Sequence, residues 1–225
     1  MFKKHSTMLG VLAACIVTAG ALYRLAPSLT VVEVYAPTAK ASSATPLCPW
    51  RKSEEDMKVF FPGATHYDTH IAILSERLAQ LKARLGRWPR PEENPFYIHD
   101  VYADNRLLGR VALQRVKGEF GAIEVVLAVD NFGAVRGLRL QRLREPDVTA
   151  RVLQSPQWLH SFRGQDQSSV LKLGVDVPDV PPVAKKSATA IVEGVRSLLV
   201  LLDEASQTTA RATARATARR QDKHH

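Results

Sequence analysis

Cysteine is nearly absent from this chain: 225 residues carry two, Cys15 and Cys48. No CxxC pair and no Cys/His run with zinc-ligand spacing exists, so a structural zinc site is not expected. A CxxCH haem-attachment motif is missing as well. No residue pattern marks a catalytic dyad or a substrate pocket, and no catalytic residue is assigned. Acidic residues are in the minority, 22 against 31 Lys and Arg, which leaves a net charge of +9 and a pI near 9.8. That balance suits anionic partners such as phosphate ligands, lipid headgroups or nucleic acid. Much of the excess sits in the C-terminal tail, so the remainder is closer to neutral.

What the chain has is enough apolar material, 45% of residues, for one core with tails or at most two small domains. Lys3 and Lys4 precede a stretch without charge from Thr7 to Tyr23, and Arg24 ends it. The run lies at the short end of a membrane span, and the leading lysines favour a cytoplasmic N-terminus. It is read as an uncleaved anchor. A cleaved signal peptide and a lipid-modified Cys15 in Leu12-Ala-Ala-Cys15 are the alternatives. Residues 25–55, rich in Ala, Ser, Thr and Pro from Pro37 to Pro49, read as a linker. Cys48-Pro-Trp50 is taken as incidental.

Ile71, Leu74, Leu78, Leu81 and Leu85 recur at helical spacing, with Asp68 as a cap and Gly86 as a stop. This predicts a helix over 69–85. His66 and His70 would sit at its start as solvated side chains, not as metal ligands. Strands are expected at Tyr97–Val101, Leu107–Val116, Glu119–Asp130 and Ala134–Leu143. Asp130-Asn-Phe-Gly133 reads as a hairpin turn. Pro178, Pro181 and Pro182 then precede Ser187, a candidate N-cap. Ile191, Val192, Val195, Leu198, Leu199 and Leu202 share one face of a helix over 188–203. Its start, Lys185-Lys186-Ser187-Ala188-Thr189, is polar and basic, and a helix N-terminus suits a phosphate. From Ala205 the Thr-Ala-Arg repeats lack core residues and are expected to be disordered.

Val183-Ala-Lys-Lys-Ser-Ala-Thr189 resembles the Asp-x-x-Ser/Thr-Gly-Ala-Thr segment of the FMN-binding domain family. That family includes the flavin-carrying subunits of Rnf-type and sodium-pumping NADH:quinone oxidoreductase complexes. The Ala-Thr pair matches; Val183, Lys186 and Ser187 stand where the family has Asp, Ser/Thr and Gly. Upstream, Gly121, the apolar run Ile123–Val129, Asp130, Gly133, Val135, Gly137-Leu138 and Glu145 follow the family's order. Pro146-Asp147 replaces its usual Thr and Gly-rich turn. Trp158-Leu-His-Ser-Phe-Arg-Gly164 and Lys172-Leu-Gly174 are similar to later segments. The resemblance covers roughly residues 105–203. Gly63-Ala-Thr65 repeats the letters of the motif, but Pro62 precedes it and no capped helix follows.

The resemblance implies an α+β fold, an antiparallel sheet with packed helices, over residues 56–204. Residues 1–24 would anchor it, 25–55 link it, and 205–225 trail as a basic tail. It also implies FMN, its phosphate held by Lys185, Lys186, Ser187, Ala188 and Thr189, with a phosphoester through Thr189 as one form. The expected role is electron transfer in a single-pass protein of the cytoplasmic membrane, its domain facing the periplasm or cell exterior. Other electron-transfer subunits and a flavin transferase are the expected partners, and nucleic acid is not. The alternative is a non-redox domain of the same fold that has lost flavin and serves binding or assembly.

Overall fold

The computed structural model describes residues 48–221. The expected anchor at 7–23, the Cys15 alternative and most of the expected linker lie outside them. Among the described residues no helix is long and apolar enough to cross a membrane.

β-Branched and leucine residues crowd the middle of the chain, and there it forms a sheet. Strands β1 (His66–Ala72), β2 (Phe96–Ala103), β3 (Arg106–Lys117), β4 (Ala122–Asp130) and β5 (Val135–Leu143) pair antiparallel in sequence order. β4 is apolar at nearly every position because both of its faces are covered. Ile123, Val125, Leu127 and Val129 belong to one core, Val126 and Ala128 to a second on the opposite face. The first core is closed by α2 (Leu78–Leu85), α3 (Asp147–Leu153), α4 (Pro156–His160) and the long α5 (Pro182–Gln221). The second is closed by α1 (Ser53–Phe60) with Trp50 and Phe61.

Three expectations change. Residues 66–72 are a strand, not the first half of a helix over 69–85. Alternating Tyr67, Thr69 and Ile71 suit a pleat, and β2 offers them a free edge with His66 opposite Tyr102 and Ala72 opposite Phe96. Only Leu78–Leu85 is α-helical, closed by Gly86 at φ 73° as expected. Asp68 therefore caps nothing. His66 and His70 share a strand face about 13 Å apart, His66 stacked on Tyr102 and His70 beside Asp100.

The second change is at the linker's end. Trp50 is buried, and its Nε1 donates to Asp56 Oδ2 at 2.6 Å. Asp56 also takes a hydrogen bond from Arg139 Nη2 on β5 at 2.7 Å, so the ordered part begins before residue 56. The third is at the tail: α5 runs on to Gln221 where disordered chain was expected. No Gly or Pro stops it after Gly194, and Ala and Arg are strong helix formers. Ser206 continues the packed part, accepting from Arg110 Nη1 at 2.8 Å.

α5 packs on β3 and β4 through the expected face: Ile191, Val192, Val195, Leu198, Leu199 and Leu202 are all buried. Gly194 permits the close approach, since a Cβ there would lie 2.6 Å from Val116 Cγ1. Leu198, 1% exposed, sits in the middle of the contact. Leu198→Asp buries an unpaired charge and should cost about 4 kcal/mol or more; an unchanged melting temperature would refute the packing.

On the other face His99 is 6% exposed, with Thr69 Oγ1 at 2.8 Å and the Trp50 and Tyr67 rings against it. Burial, with the nearby His70 adding, pushes its imidazole down to about 4. The folded chain thus prefers the neutral ring. That contribution to stability is full above the ordinary value of 6.5 and is lost as pH falls through about 4. Urea unfolding from pH 7 to 4 should show a loss on the order of 3 kcal/mol from this site. His99→Gln should flatten that part of the profile, and an equally steep profile in the variant would exclude His99 as its source.

Candidate functional site

The residues expected to hold a phosphate run from the end of the first turn of α5 through its second. The helix begins at Pro182, five residues before Ser187, so Ser187 is not its N-cap. Proline is tolerated in a first turn because its missing N–H would have no helical partner there. The Ala184 N–H is already engaged by Pro181 O at 2.9 Å. Thr189 stands seven residues past Pro182, about 10 Å along the axis, so the unpaired amides and the dipole end do not converge on it.

Each expected residue has a definite place. Lys185 Nζ pairs with Asp179 Oδ2 at 3.0 Å, and that hydrogen bond holds the Asp179 carboxyl below its ordinary value. Lys186 Nζ lies 3.9 Å from Glu119 Oε1. Ser187 is buried, and its Oγ accepts the Glu119 backbone N–H at 2.9 Å. Ala188 is fully buried in the main core. Thr189 is exposed, and its hydroxyl donates to Lys185 O one turn back at 2.8 Å. Lys185, Lys186 and Thr189 therefore share the solvent side, while Ser187 and Ala188 face inward. The five do not form one cradle.

The Ser187 contact carries the β3–β4 turn to α5. Gly118 N–H donates to Gly121 O at 2.8 Å and closes that turn. The Phe120 N–H reaches Glu145 Oε1 at 3.3 Å, just past β5. A side chain at Gly118 would collide with the same carboxylate, its Cβ 2.2 Å from Oε1. Glu145 Oε2 is buried without a hydrogen-bond partner. Phe120 itself is 62% exposed. So Glu119, Phe120, Glu145 and Lys186 gather around the second turn of α5. Thr149 on α3 adds a hydrogen bond to Val183 O at 3.2 Å.

Of the segments that carried the family resemblance, Gly121 and Glu145 are at this junction. Asp130 and Gly133 are at the other end of the sheet, where Asp130 Oδ1 accepts from Phe132 N and Ala134 N, each at 2.9 Å. Trp158 and Phe162 are buried edge to face with ring centres 5.2 Å apart, a packing role. Glu119 and Phe120, expected as the first residues of the strand that runs to Asp130, lie in the turn before it, because β4 begins only at Ala122. Strand propensity says nothing about which helix that turn meets.

Among the described residues no group of three or more His, Cys, Asp or Glu side chains is placed to hold a metal ion. The two hydroxyls of the motif differ in work. Ser187→Ala removes the tie to Glu119 and should cost about 1 kcal/mol in urea unfolding. Thr189→Ala removes a helix back-bond at the surface and should stay within about 0.5 kcal/mol. The reverse ranking would contradict this geometry.

No family model matches the chain, and no curated protein sequence matches it. Among solved structures it is similar to the crystal structure of Shewanella oneidensis NqrC, at 13% identity and a TM-score of 0.43, over 68% of this chain and 88% of that one.

Proposed function

We propose that this chain is an FMN-carrying electron-transfer domain, tethered by its N-terminal apolar run with residues 48–221 on the extracytoplasmic side. The carrying observation is the position of Thr189. Its hydroxyl is on the solvent side of α5, one turn from Lys185 and Lys186, at the residue that aligns with the family's attachment threonine. The resemblance of residues 105–203 to FMN-binding domains supports the same reading.

The residues present fit one form of attachment better than the other. Reversible phosphate binding at a helix end is poorly served, because the free amides are two turns away. A phosphoester through Thr189 needs an accessible hydroxyl and gives up only a back-bond to Lys185 O. Lys185 and Lys186 would offset phosphate charge. When bound, FMN supplies the redox chemistry, and the protein supplies placement and electrostatics. Phe120 offers an exposed aromatic surface near Lys186. A flavin transferase and further electron-transfer subunits are the partners this role requires.

A second reading rests on Ser187. Where the family has glycine, this hydroxyl closes the turn onto the helix through Glu119, and Val183 leaves the motif without its acid. Both features suit a domain that keeps the fold without flavin and serves binding or assembly.

Co-expression with a flavin transferase separates the two. The protein should be yellow after acid precipitation, with an intact mass raised by one FMN less one water, and Thr189→Ala should abolish both. Colourless wild-type protein without the mass increment would overturn the electron-transfer reading in favour of the assembly module.

A further inference from the structure

The face of the sheet that carries α1 is not wholly covered by it. Toward the β3–β4 turn, three arginines on that face surround one carboxylate, and Lys117 extends the cationic surface beyond them. Arg115 and Lys117 are two residues apart on β3 and so project to the same side. Arg142 on β5 stands opposite Glu124 on β4. Arg51 reaches in from the residues before α1. Arg115 Nη2 lies 2.9 Å from Glu124 Oε1, Arg51 Nε 3.5 Å from Oε2, and Arg142 Nη1 3.7 Å from Oε1.

Their depths differ. The Glu124 side chain is 0% exposed, while those of Arg51, Arg115 and Arg142 are 49%, 43% and 39% exposed. Lys117 is exposed as well. Burial pushes the Glu124 carboxyl up, but hydrogen bonds from Arg115 and Gln141 outweigh it and hold the group below its ordinary value. The acid is thus a buried counter-charge for a cationic outer layer that exceeds it. Lys52, next to Arg51, is paired with Glu55 at 2.9 Å and marks the edge of the excess.

We propose that this basic face docks on a membrane surface rich in anionic lipid headgroups. Two observations favour that occupant. The charge is complementary, and it is spread over adjacent strands that present a broad surface. The chain toward residues 1–47 also leaves from this patch: Gln141 Nε2 donates to Pro49 O at 2.8 Å and contacts Cys48 Sγ at 3.8 Å. Those residues carry the apolar run 7–23. The inference rests on that run being a membrane anchor and is independent of flavin. Trp50, the residue before Arg51, is buried and adds no aromatic contact there, so docking through the arginines is by charge and is screened by salt.

The test uses the full chain in lipid nanodiscs, one set of phosphatidylcholine alone and one containing phosphatidylglycerol. Arginine modification by phenylglyoxal is read residue by residue by mass spectrometry. Incorporation into the neutral discs checks the anchor separately. Arg51, Arg115 and Arg142 should be modified at least about five-fold more slowly in anionic discs than in neutral ones. Arg163 and Arg196, on the opposite layer, should be unchanged. The protection should vanish at about 1 M salt, where the Debye length is roughly 3 Å. Arg51→Gln with Lys117→Glu keeps Arg115 and Arg142 against Glu124 and should abolish the protection at both. Equal rates in the two disc types would overturn the proposal even if incorporation succeeds. So would protection untouched by the double variant, or protection in neutral discs by a DNA oligonucleotide but not by anionic lipid.

Discussion

The contact between α5 and the inner face of β3 and β4 is the constraint on which the rest depends. A helix can lie this close to a strand only where a side chain is missing, and Gly194 over Val116 supplies that gap. Ile191, Val195 and Leu198 then reach the layer formed by Ile123, Val125 and Leu127. Once α5 is seated, its second turn is brought to the β3–β4 turn and its later turns to Arg110 on β3. The position of every residue in the candidate site follows from that seating.

Polar contacts fix its register where apolar packing alone would tolerate sliding. Arg84 Nη1 bridges Asp203 Oδ2 at 2.6 Å and Glu204 Oε1 at 2.8 Å, which ties α2 to α5. Arg77 also pairs with the buried Glu204. Further up, Arg87 joins Glu93 at 2.7 Å and Ser197 Oγ at 3.0 Å, and Gln114 on β3 donates to the same Glu93 carboxylate at 2.8 Å. Burial pushes the Glu93 carboxyl up, but Arg87 and the Arg90 backbone outweigh it and hold the group below its ordinary value. A buried charge so satisfied adds geometric specificity more surely than net stability. It sets helix, strand and loop in one arrangement.

The two faces of the sheet divide the labour. The inner face holds the main core and presents the solvent side of α5, with Lys185, Lys186 and Thr189. The outer face holds a smaller core under α1 and a cationic remainder around Glu124. The expected attachment residue and the basic outer surface therefore belong to opposite layers of one sheet. A group carried at Thr189 would not compete with an anion on the outer face.

Much of this was readable in the sequence. The strands from 96 to 143 and the buried face of α5 follow from apolar periodicity, because burial demands one side chain type on one side of an element. Turn chemistry was equally local: Asp130 and Gly133 shape their hairpin with their own side chain and φ. The strand at 66–72 was not legible, since an edge strand is decided by the neighbour it pairs with, and Ile71 and Leu74 also fit a helical stripe. The continuation of α5 past Ala205 was masked by the lack of core residues, although propensity favours helix there. Ser187 shows the limit most plainly. Alone it reads as a cap; only the tertiary approach of Glu119 makes it the tie between a turn and a helix interior. Sequence determines what each residue can bond to, and the packing of α5 on β3 decided which partner it met.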